Sequence, residues 1–394
     1  MTESIRILTL NSISAVGLKR LPSERYAVGP KVDRPDAILL RSHDMHNMDI
    51  PESVRAVGRA GAGTNNIPVP ALSKRGVPVF NAPGANANAV KELVLAGMLL
   101  AARNLVPAFQ FADALTGTDE EVNKAVEDGK KHFAGFELPN HVLGVVGLGR
   151  IGSLVADAAI KLGMGVIGHD PEITVDAAWS LPSQVKKAQS IEDVLRTADF
   201  VSLHVPLLDG TRNLIDAKRL AMMKHGAVLL NFSREGIVHN ESILEALQAK
   251  RLKAYVCDFP SAKFKGHPGV VATPHLGAST REAEDNCAVM VVDQVRDYLE
   301  NGTVRNAVNF PDVVMARESP YRLGIANANV PNMVGQISTT LAQASLNIHN
   351  MLNKSKKDMA YTLVDVDSPV PASVINKIAG IEGVLAVRYL SDGT

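Results

Sequence analysis

Short apolar runs alternate with amphipathic or turn-forming stretches along most of the chain. Before residue 81, such runs occupy residues 5–10, 37–40, 54–57 and 77–80. A second series occupies residues 142–146, 166–168, 200–205, 227–231, 254–257 and 270–272. Strands that alternate with helical or turn segments are typical of parallel sheets. The pattern therefore predicts an α/β protein with two Rossmann-like, doubly wound parallel-sheet domains.

Three longer stretches between or after these runs have helical patterns. Residues 86–103 are apolar enough for a buried helix, whereas residues 116–131 are rich in charge and predict an exposed helix or a linker. From residue 279 to residue 298, apolar side chains recur at helical spacing. We expect this last helix to carry the chain back to the first domain.

The chain has a different order of elements beyond a proposed linker at residues 311–320. It predicts strands and helices in the order β-α-β-β-α-β, at residues 322–326, 331–344, 346–352, 359–366, 372–379 and 384–390. That order is typical of a ferredoxin-like fold. We therefore expect three domains, which are residues 1–95 with 285–310, an inserted domain at residues 96–284 with a cleft between the two, and residues 320–394.

A glycine-rich turn separates the strand at residues 142–146 from an amphipathic helix. Gly147, Gly149 and Gly152 follow the order G-x-G-x-x-G, and Asp170 ends the next strand, eighteen residues after the third glycine. This spacing is typical of a βαβ unit in which a dinucleotide pyrophosphate binds the helix N-terminus. The carboxylate of Asp170 would accept hydrogen bonds from the ribose hydroxyls, which favours NAD over NADP. The alternative is that these glycines serve only the close packing of helix and strand.

Two arginines follow strands of the first predicted domain. Arg41 follows the run at residues 37–40, and Arg59 precedes Gly61 and Gly63 in a turn. Open α/β sheets bind ligands at the carboxyl ends of their strands, and arginine binds anions through parallel hydrogen bonds. The pair therefore predicts a site for an anionic substrate. The alternative is that both arginines are solvated surface residues.

Polar residues also follow the second series of strands, and two of them could oxidise a 2-hydroxy acid. Arg234 follows the strand at residues 227–231, and His275 follows the strand at residues 270–272. The reaction requires a base for the hydroxyl proton and a cation for the carboxylate and carbonyl. Histidine, whose ordinary pKa is about 6.5, and arginine, which stays charged, fit these tasks. The alternative for His275 is a structural histidine that bonds only within its turn.

Composition excludes several other classes of protein. The chain has 394 residues with 41 Lys plus Arg and 41 Asp plus Glu, so no excess of charge favours nucleic acid or an anionic membrane. Cys257 and Cys287 are too few for a disulfide framework, and residues 1–10 lack the pattern of a signal peptide. We therefore expect a cytoplasmic protein with a small-molecule partner and with no metal, nucleic acid or membrane as partner.

Taken together, these residues resemble the D-2-hydroxyacid dehydrogenase family, and the resemblance covers essentially the whole chain. It rests on the segments LLRS, VGRAGAGTNNI, VFNAPGANANAV, VVGLGRIG, LHVPL, NFSREGIV and TPHLGAST. The resemblance implies that Arg234 and His275 are catalytic. It implies that Arg41 and Arg59 hold the substrate phosphate. The substrate contacts that it implies are Arg41, Arg59, Gly61, Ala62, Gly63, Asn86, Arg234 and His275. It implies NAD contacts at Gly147, Gly149, Arg150, Ile151, Gly152, Asp170, His204, Pro206, Ser233, Asp258, His275 and Gly277.

The C-terminal segment is similar to an ACT domain, which is a regulatory module. The resemblance rests on the run NVPNMVGQISTTLAQASLNIHNM and implies an L-serine effector at Asn327, Asn329 and Asn347. Two positions depart from serine-inhibited relatives, because Asn327 replaces a histidine and Asn332 replaces a glycine. Asparagine is also a common turn former, so a purely structural role for these residues stays open.

A second departure lies beside the expected catalytic histidine. The family normally supplies a glutamate that hydrogen-bonds this histidine, but here Ala262 or Lys263 occupies that position. His275 therefore lacks this partner, uses another acid, or shares its task with Lys263. This segment can be aligned with the family in two ways that differ by one residue. Either Asp258 or Cys257 could therefore face the nicotinamide carboxamide, and Asp258 is the better hydrogen-bond acceptor.

The resemblance implies NAD-dependent oxidation of 3-phospho-D-glycerate to 3-phosphohydroxypyruvate, the first step of phosphorylated serine biosynthesis, by a homodimer or homotetramer. The alternative enzyme is another D-2-hydroxyacid dehydrogenase or a glyoxylate/hydroxypyruvate reductase. A third hypothesis is an NAD-sensing binding protein that uses the fold for protein contacts. The paired Arg41 and Arg59 favour the first hypothesis, because other members of the family bind an apolar group where the phosphate would be.

Overall fold

The computed structural model describes residues 4–391, which fold into two compact units. One unit consists of the described parts of Met1–Asn86 and Arg281–Thr394, and the other consists of Ala87–Thr280. The chain therefore leaves the first unit, forms the second and then returns to the first. The finer division into three domains, with residues 320–394 separate, stays a prediction.

The N-terminal part of the first unit contains a parallel sheet. Its elements are β1 (Ile5–Leu10), α1 (Ala15–Leu18), β2 (Tyr26–Gly29), β3 (Ala37–Leu40), β4 (Ala56–Arg59), α2 (Val69–Lys74) and β5 (Val79–Phe80). The five strands pair in the order β2-β1-β3-β4-β5. All of β3 is buried, which is why this strand is a continuous apolar run rather than an alternating one.

Three strands of this sheet differ from the prediction. Val54 closes a turn, so β4 begins at Ala56, and Val77 bonds back to the end of α2, so β5 begins at Val79. The strand β2 was not predicted. It is a four-residue strand, YAVG, at the edge of the sheet, and only its Tyr26 is buried.

The second unit contains a seven-stranded parallel sheet. Its elements are α3 (Ala87–Ala102), α4 (Leu105–Asp113), α5 (Asp119–Gly129), β6 (Val142–Val146), α6 (Arg150–Lys161), β7 (Gly165–His169), α7 (Val175–Trp179), β8 (Lys186–Lys187), α8 (Ile191–Thr197), β9 (Phe200–Leu203), α9 (Ala217–Leu220), β10 (Ala227–Asn231), α10 (Asn240–Gln248), β11 (Leu252–Cys257) and β12 (Val270–Ala272). The strands pair in the order β12-β11-β10-β9-β6-β7-β8. The direction of winding reverses between β6 and β9, so this is a doubly wound sheet.

The two helices predicted before β6 are confirmed. Val90, Val94 and Met98 of α3 are buried, whereas no residue of α5, at positions 119–129, is buried. A capping box formed by Thr118 and Glu121 begins α5, and this contact holds the pKa of the Glu121 carboxyl below its usual range. The charged segment is therefore an exposed helix.

The first unit resumes with a long helix and an antiparallel sheet. Its elements are α11 (Arg281–Asn301), β13 (Tyr321–Ala328), α12 (Met333–Gln343), β14 (Ile348–Lys356), β15 (Met359–Val366), α13 (Ala372–Ala379) and β16 (Val384–Ser391). The β-α-β-β-α-β order agrees with the prediction, and the strands pair in the order β14-β15-β13-β16. The helix α12 begins at Met333 rather than at Pro331, because Asn332 has a left-handed backbone with φ of 63°.

A buried arginine, Arg322, joins the antiparallel sheet to the end of α11. Arg322 and Asp365 are both 0% exposed, and Nε and Nη2 of the arginine donate to the two carboxylate oxygens at 2.6 and 2.8 Å. The other N–H groups of Arg322 donate to the carbonyls of Asn301, Met315 and Ala316. Because every polar group of the pair is bonded, the sheet and the helix end pack as one body.

No single helix among residues 4–391 is both long enough and apolar enough to span a membrane. The pair Ala87–Ala102 and Leu105–Asp113 reaches that length and hydropathy only together, across a bend of 69°.

Candidate active site

The glycine turn after β6 has the geometry of a phosphate-binding loop. Gly147 has φ of 93°, and a Cβ at this position would lie 2.7 Å from the carbonyl oxygen of His204. A Cβ at Gly152 would lie 2.0 Å from the carbonyl oxygen of Gly147, so only glycine allows α6 to start this close to the turn. At Gly149, no described atom lies within 4 Å of such a Cβ. The space beside Gly149 is therefore open to a ligand.

Asp170 holds the turn from the neighbouring strand. One carboxylate oxygen accepts the N–H of Leu148 at 2.8 Å, and the other accepts the N–H of Glu172 at 3.0 Å. The carboxylate of Asp170, at the end of β7, is thus beside the glycine turn, where the spacing predicted it. In the described chain no side chain caps α6 at Gly149. An uncapped helix N-terminus, an open glycine and an adjacent acid fit the pyrophosphate and ribose of a dinucleotide.

His204 directly follows β9, the strand that pairs with β6 on the side away from β7. Its N–H donates to the carbonyl of Val146 at 2.7 Å, and its Nε2 lies 2.8 Å from the hydroxyl of Ser202. Burial lowers the pKa of His204 to about 4, so the imidazole is neutral near neutral pH. Pro206 follows in the same loop and its carbonyl accepts the hydroxyl of Thr211. A neutral imidazole at this strand end adds no positive charge beside the glycine turn.

The turn after β10 carries Arg234. The buried amide of Asn231 donates to the carbonyl of Arg234 at 2.9 Å and accepts the N–H of Ser233 at 3.2 Å. The hydroxyl of Ser233 donates to the carbonyl of Leu203 at 2.5 Å, which links the turn to β9. The Arg234 side chain is exposed, and one of its N–H groups donates to the carbonyl of Ser233. The guanidinium is therefore held by its backbone and stays accessible to an anion.

The turn after β12 carries His275, whose backbone is left-handed with φ of 58°. Its N–H donates to the carbonyls of Thr273 and Asp258 at 3.0 and 3.1 Å. The carboxylate of Asp258 accepts the Thr273 hydroxyl and the N–H of Leu276, both at 2.7 Å, and the N–H of Gly277 at 2.8 Å. Non-glycine residues rarely adopt this conformation, and the surrounding bonds hold His275 in it.

The three strands β10, β11 and β12 are parallel and adjacent, so their carboxyl ends lie at one edge of the sheet. Asn231 is aligned with Cys257, and Cys257 is aligned with Ala272. The Arg234 turn and the His275 turn therefore leave the same edge, two strands apart, as the positions after the apolar runs predicted. Both side chains are exposed at that edge.

The next feature is the surroundings of His275, where the family normally supplies a glutamate. Lys263 forms an ion pair with Glu241, which also lies 3.5 Å from His239. The imidazole of His275 instead meets the ring of Phe259 edge-on, with ring centroids 5.3 Å apart. Across residues 4–391, no carboxylate hydrogen-bonds the His275 ring. The ammonium of Lys263 is thus paired with Glu241 and not with His275. Among the described contacts, no other acid takes the place of the family's glutamate beside His275.

In the first unit, Arg59 organises the turn that follows β4. Its Nε donates to the carbonyl of Arg41 at 2.9 Å and one terminal nitrogen donates to the carbonyl of Gly63 at 2.6 Å. A Cβ on Gly61 would lie 2.8 Å from that terminal nitrogen, so glycine makes room for the guanidinium. The carbonyl of Ala62 accepts the side-chain amide of Asn81. Arg59 therefore shapes the backbone of this turn.

Arg41 lies beside the first turn of α11. Its guanidinium pairs with the carboxylate of Glu284 at 2.7 Å, and both side chains are partly exposed. Burial raises the pKa of the Cys287 thiol, one turn further along, although the charges of Arg41 and Arg59 act against this shift. The two arginines thus lie together, as predicted. Asn86 lies in the turn before α3, at the last position of its unit.

The predicted effector residues are only partly brought together. Asn327 and Asn329 line a cavity of about 160 Å³ with Asn332 and Asn353. Asn327 is 1% exposed, and its side-chain oxygen has no hydrogen-bond partner among the described residues. Asn347 is not among the residues that line this cavity; its N–H bonds to Asp367. The asparagine cavity therefore includes two of the three predicted residues.

Three residues that shape these turns were missed by sequence reasoning: Asn231, Thr273 and Glu284. Asn231 carried a signal, because it is a polar residue that ends the otherwise apolar run AVLLN. No sequence signal could identify Glu284, since it is 243 positions away from Arg41. Among the described residues, no cluster of three or more His, Cys, Asp or Glu side chains could hold a metal ion.

Comparison with known proteins agrees with this geometry. Residues 99–277 match the family model described as D-isomer specific 2-hydroxyacid dehydrogenase, NAD binding domain. The chain is 32% identical to a D-3-phosphoglycerate dehydrogenase of Haemophilus influenzae over 347 residues, which are 85% of this chain and 81% of that protein. It is 34% identical to one of Methanocaldococcus jannaschii over 329 residues, which are 80% of this chain. The match spans only 59% of the Methanocaldococcus protein's length.

Solved structures show the same α/β fold with parallel sheets. The TT0316 protein of Thermus thermophilus superposes with a TM-score of 0.63 at 28% identity, over 77% of this chain and 99% of that one. An NAD⁺-bound 3-phosphoglycerate dehydrogenase of Entamoeba histolytica superposes with a TM-score of 0.60 at 24% identity, over 77% of this chain and 98% of that one.

Proposed function

The chain belongs to the D-isomer specific 2-hydroxyacid dehydrogenase family, and from that premise we propose that it oxidises 3-phospho-D-glycerate to 3-phosphohydroxypyruvate with NAD. This reaction begins the phosphorylated route to L-serine. The observation that carries the proposal is the shared sheet edge from which the Arg234 turn and the His275 turn both emerge. A guanidinium and an imidazole at one edge supply the cation and the base that oxidation of a 2-hydroxy acid requires.

The second unit would hold the cofactor at the glycine turn. The pyrophosphate would bind the start of α6 beside Gly149, and Asp170 would accept hydrogen bonds from the ribose hydroxyls. A negative carboxylate there repels a 2′-phosphate, which supports NAD over NADP. The bound nicotinamide supplies the acceptor for the hydride that leaves C2 of the substrate.

Arg234 and His275 would act directly on the substrate. The guanidinium of Arg234 would bind the substrate carboxylate and stabilise the negative charge that develops on the carbonyl oxygen. An imidazole nitrogen of His275 would take the proton of the C2 hydroxyl as the hydride leaves. The products are the 2-keto acid, NADH and one proton, so alkaline conditions favour oxidation.

Arg41 and Arg59 support a phosphorylated substrate. The guanidinium of Arg59 donates to the backbone carbonyl of Arg41, so the two residues are neighbours in the first unit, and the Gly61–Gly63 backbone lies beside Arg59. We infer that Arg41 binds the phosphate directly, because Arg59 already donates two hydrogen bonds to backbone carbonyls. Gly61, Ala62, Gly63 and Asn86 would complete this part of the substrate site.

The decisive experiment measures NADH formation from 3-phospho-D-glycerate at alkaline pH, with hydrazine to trap the keto acid. Arg234→Gln and His275→Asn should each lower kcat/KM by about 100-fold or more, because each removes a group that acts in the transition state. Arg196→Gln, at an exposed arginine on α8 of the same unit, is the matched control and should retain activity. A His275→Asn enzyme with the full wild-type rate would contradict the proposal.

The alternative enzyme, another D-2-hydroxyacid dehydrogenase or a glyoxylate reductase, is tested with D-glycerate, D-lactate and glyoxylate. A preference for unphosphorylated substrates, together with no effect of Arg41→Gln, would favour it. Binding of NAD without turnover of any of these compounds would favour a binding protein. Because Arg41 and Arg59 serve a phosphate in the first proposal, only phosphorylated substrates should lose affinity in the arginine variants.

We also propose that residues 320–394 form an ACT-like regulatory domain. The β-α-β-β-α-β order and the asparagine cavity support this assignment. Titration of L-serine against activity, with calorimetry on the same protein, tests it. No inhibition and no binding at millimolar serine would restrict the domain to a structural or assembly role. A homodimer or homotetramer and a cytoplasmic location are further proposals, to be tested by sedimentation and by cell fractionation.

A further inference from the structure

Buried polar residues lie at the carboxyl ends of β10 and β11, where Asn231 is the last residue of β10 and Asp258 directly follows β11. Asn231 is 0% exposed and Asp258 is 1% exposed. A buried amide or carboxylate is costly unless its polar atoms are hydrogen-bonded. The hydrogen-bond partners of these two side chains therefore indicate what they contribute.

Asn231 bonds the turn that carries Arg234 at two points. Its side-chain N–H donates to the carbonyl of Arg234, and its side-chain oxygen accepts the N–H of Ser233. A single amide thus closes the backbone on both sides of the Ser233–Arg234 peptide. The direction in which Arg234 leaves the sheet edge depends on this amide.

Asp258 bonds the turn that carries His275 at four points. Its two carboxylate oxygens accept the Thr273 hydroxyl and the N–H groups of Leu276 and Gly277, and its carbonyl accepts the N–H of His275. A Cβ on Gly277 would lie 3.2 Å from the carboxylate, so glycine lets the turn close around it. These contacts hold the left-handed backbone of His275.

The two residues are also joined to each other, because the N–H of Asp258 donates to the carbonyl of Asn231 at 3.2 Å. We propose that Asn231 and Asp258 are positioning residues. By bonding the turns that carry Arg234 and His275, they fix the positions of these two residues relative to each other. This inference rests on the proposed function. It assigns Asp258 to the backbone of the histidine turn rather than to a direct contact with the nicotinamide.

Asp258→Asn tests the role of the carboxylate. The amide keeps one acceptor oxygen but turns an N–H donor toward a turn that needs acceptors. We expect kcat to fall by about 30-fold, because a small displacement of a catalytic group costs this much, with Kd for NAD within about threefold of wild type. Hydrogen exchange of the Leu276 and Gly277 amides should accelerate, while the amides of Leu143 to Val145 in β6 keep their protection.

Asp199→Asn is the matched control. Like Asp258, Asp199 is an aspartate beside a strand of this sheet whose carboxylate accepts a backbone N–H, from Val142 at 2.8 Å. It differs in that it precedes its strand, β9, and so lies at the opposite edge. We expect it to leave kcat, the affinity for NAD and the exchange of the histidine turn unchanged. A weaker affinity for NAD in Asp258→Asn, by about tenfold and with an unchanged turn, would assign Asp258 to the cofactor and overturn the inference. An unchanged kcat would overturn it as well.

Two further variants keep the test decisive. If Asp258→Asn does not fold, Thr273→Val removes one bond to the same carboxylate and should lower kcat by about fivefold; a wild-type kcat would contradict the inference. Asn231→Asp replaces the donor to the Arg234 carbonyl by an acceptor and should raise KM for the hydroxyacid by about tenfold, and an unchanged KM would contradict it. If the wild type oxidises no hydroxyacid, the proposed function fails, while amide exchange still tests the positioning of the turn.

Discussion

The guanidinium of Arg41 and the carboxylate of Glu284 lie 2.7 Å apart, between the end of β3 and the first turn of α11. A substrate phosphate at Arg41 would have to compete with this carboxylate. Glu284→Gln should therefore lower KM for 3-phospho-D-glycerate by about fivefold at low salt, as expected for a partly exposed ion pair worth up to about 1 kcal/mol. Steady-state kinetics at two ionic strengths measure this effect.

The control for this variant is Glu282→Gln, which removes an acid from the same helical turn. It should leave KM unchanged, and KM for unphosphorylated D-glycerate should not respond to either variant. A higher KM in Glu284→Gln would mean instead that the carboxylate orients Arg41 for substrate.

Two glycines of the turn after β6 should respond differently to alanine. A Cβ at Gly152 meets the backbone oxygen of Gly147 at 2.0 Å, so Gly152→Ala should lower the free energy of unfolding by about 2 kcal/mol. A Cβ at Gly149 meets no described atom, so Gly149→Ala should keep its stability. It should nevertheless weaken NAD binding by about tenfold, because the methyl group enters the expected pyrophosphate position.

Urea unfolding and calorimetry with NAD measure the two effects in parallel. Equal losses of stability in the two variants would contradict the packing assigned to Gly152. Undiminished NAD affinity in Gly149→Ala would place the pyrophosphate elsewhere.

His204 should make the stability of the second unit depend on pH. Its pKa is lowered to about 4 from an ordinary 6.5, so between these values the unfolded chain binds more protons than the folded chain. The stability is complete above pH 6.5 and falls as the pH is lowered toward 4, by up to about 3 kcal/mol. Urea unfolding across this range should show a shallower dependence in His204→Gln than in the wild type. Identical pH dependences would contradict a partly buried imidazole whose pKa is lowered.

The buried pair of Arg322 and Asp365 should be costly to break from one side. Arg322→Met leaves a buried carboxylate without its partner and should lower the free energy of unfolding by about 3–5 kcal/mol. The double variant Arg322→Met with Asp365→Leu should recover part of this loss, but not all, because three carbonyls also lose their donor. Lys224→Met, which breaks a partly exposed pair with Asp199, should cost less than about 1 kcal/mol. A small effect of Arg322→Met would contradict the packing described here.

The apolar runs predicted the strands best where both faces of a strand are buried. β10 matches its predicted range because the run AVLLN is buried throughout. The edge strand β2 was not predicted; only its Tyr26 is buried, so it lacks the continuous burial that makes a central strand recognisable in the sequence. The starts of β4 and β5 shifted because Val54 and Val77 bond within turns, and local turn bonds are not visible in hydrophobicity.

The positions of the candidate site residues followed from the rule that ligands bind at the ends of parallel strands. Their partners did not follow, because a hydrogen bond such as that from Gly277 to Asp258 depends on how β11 and β12 align. The same holds for Lys263, which sequence reasoning offered as a partner of His275 and which pairs with Glu241. Sequence patterns report which face a residue occupies, but contacts between distant segments depend on the folded register.

The first unit is discontinuous, and this has a consequence for its synthesis. Val291 and Val295 of α11 pack against β4 so closely that a Cβ on Gly58 would lie 2.8 Å from each. During synthesis, this apolar face of the N-terminal sheet therefore stays uncovered until the ribosome has made α11, more than two hundred residues after β4. The continuous second unit can fold before then. The middle of this polypeptide should acquire protease resistance on the ribosome earlier than its beginning.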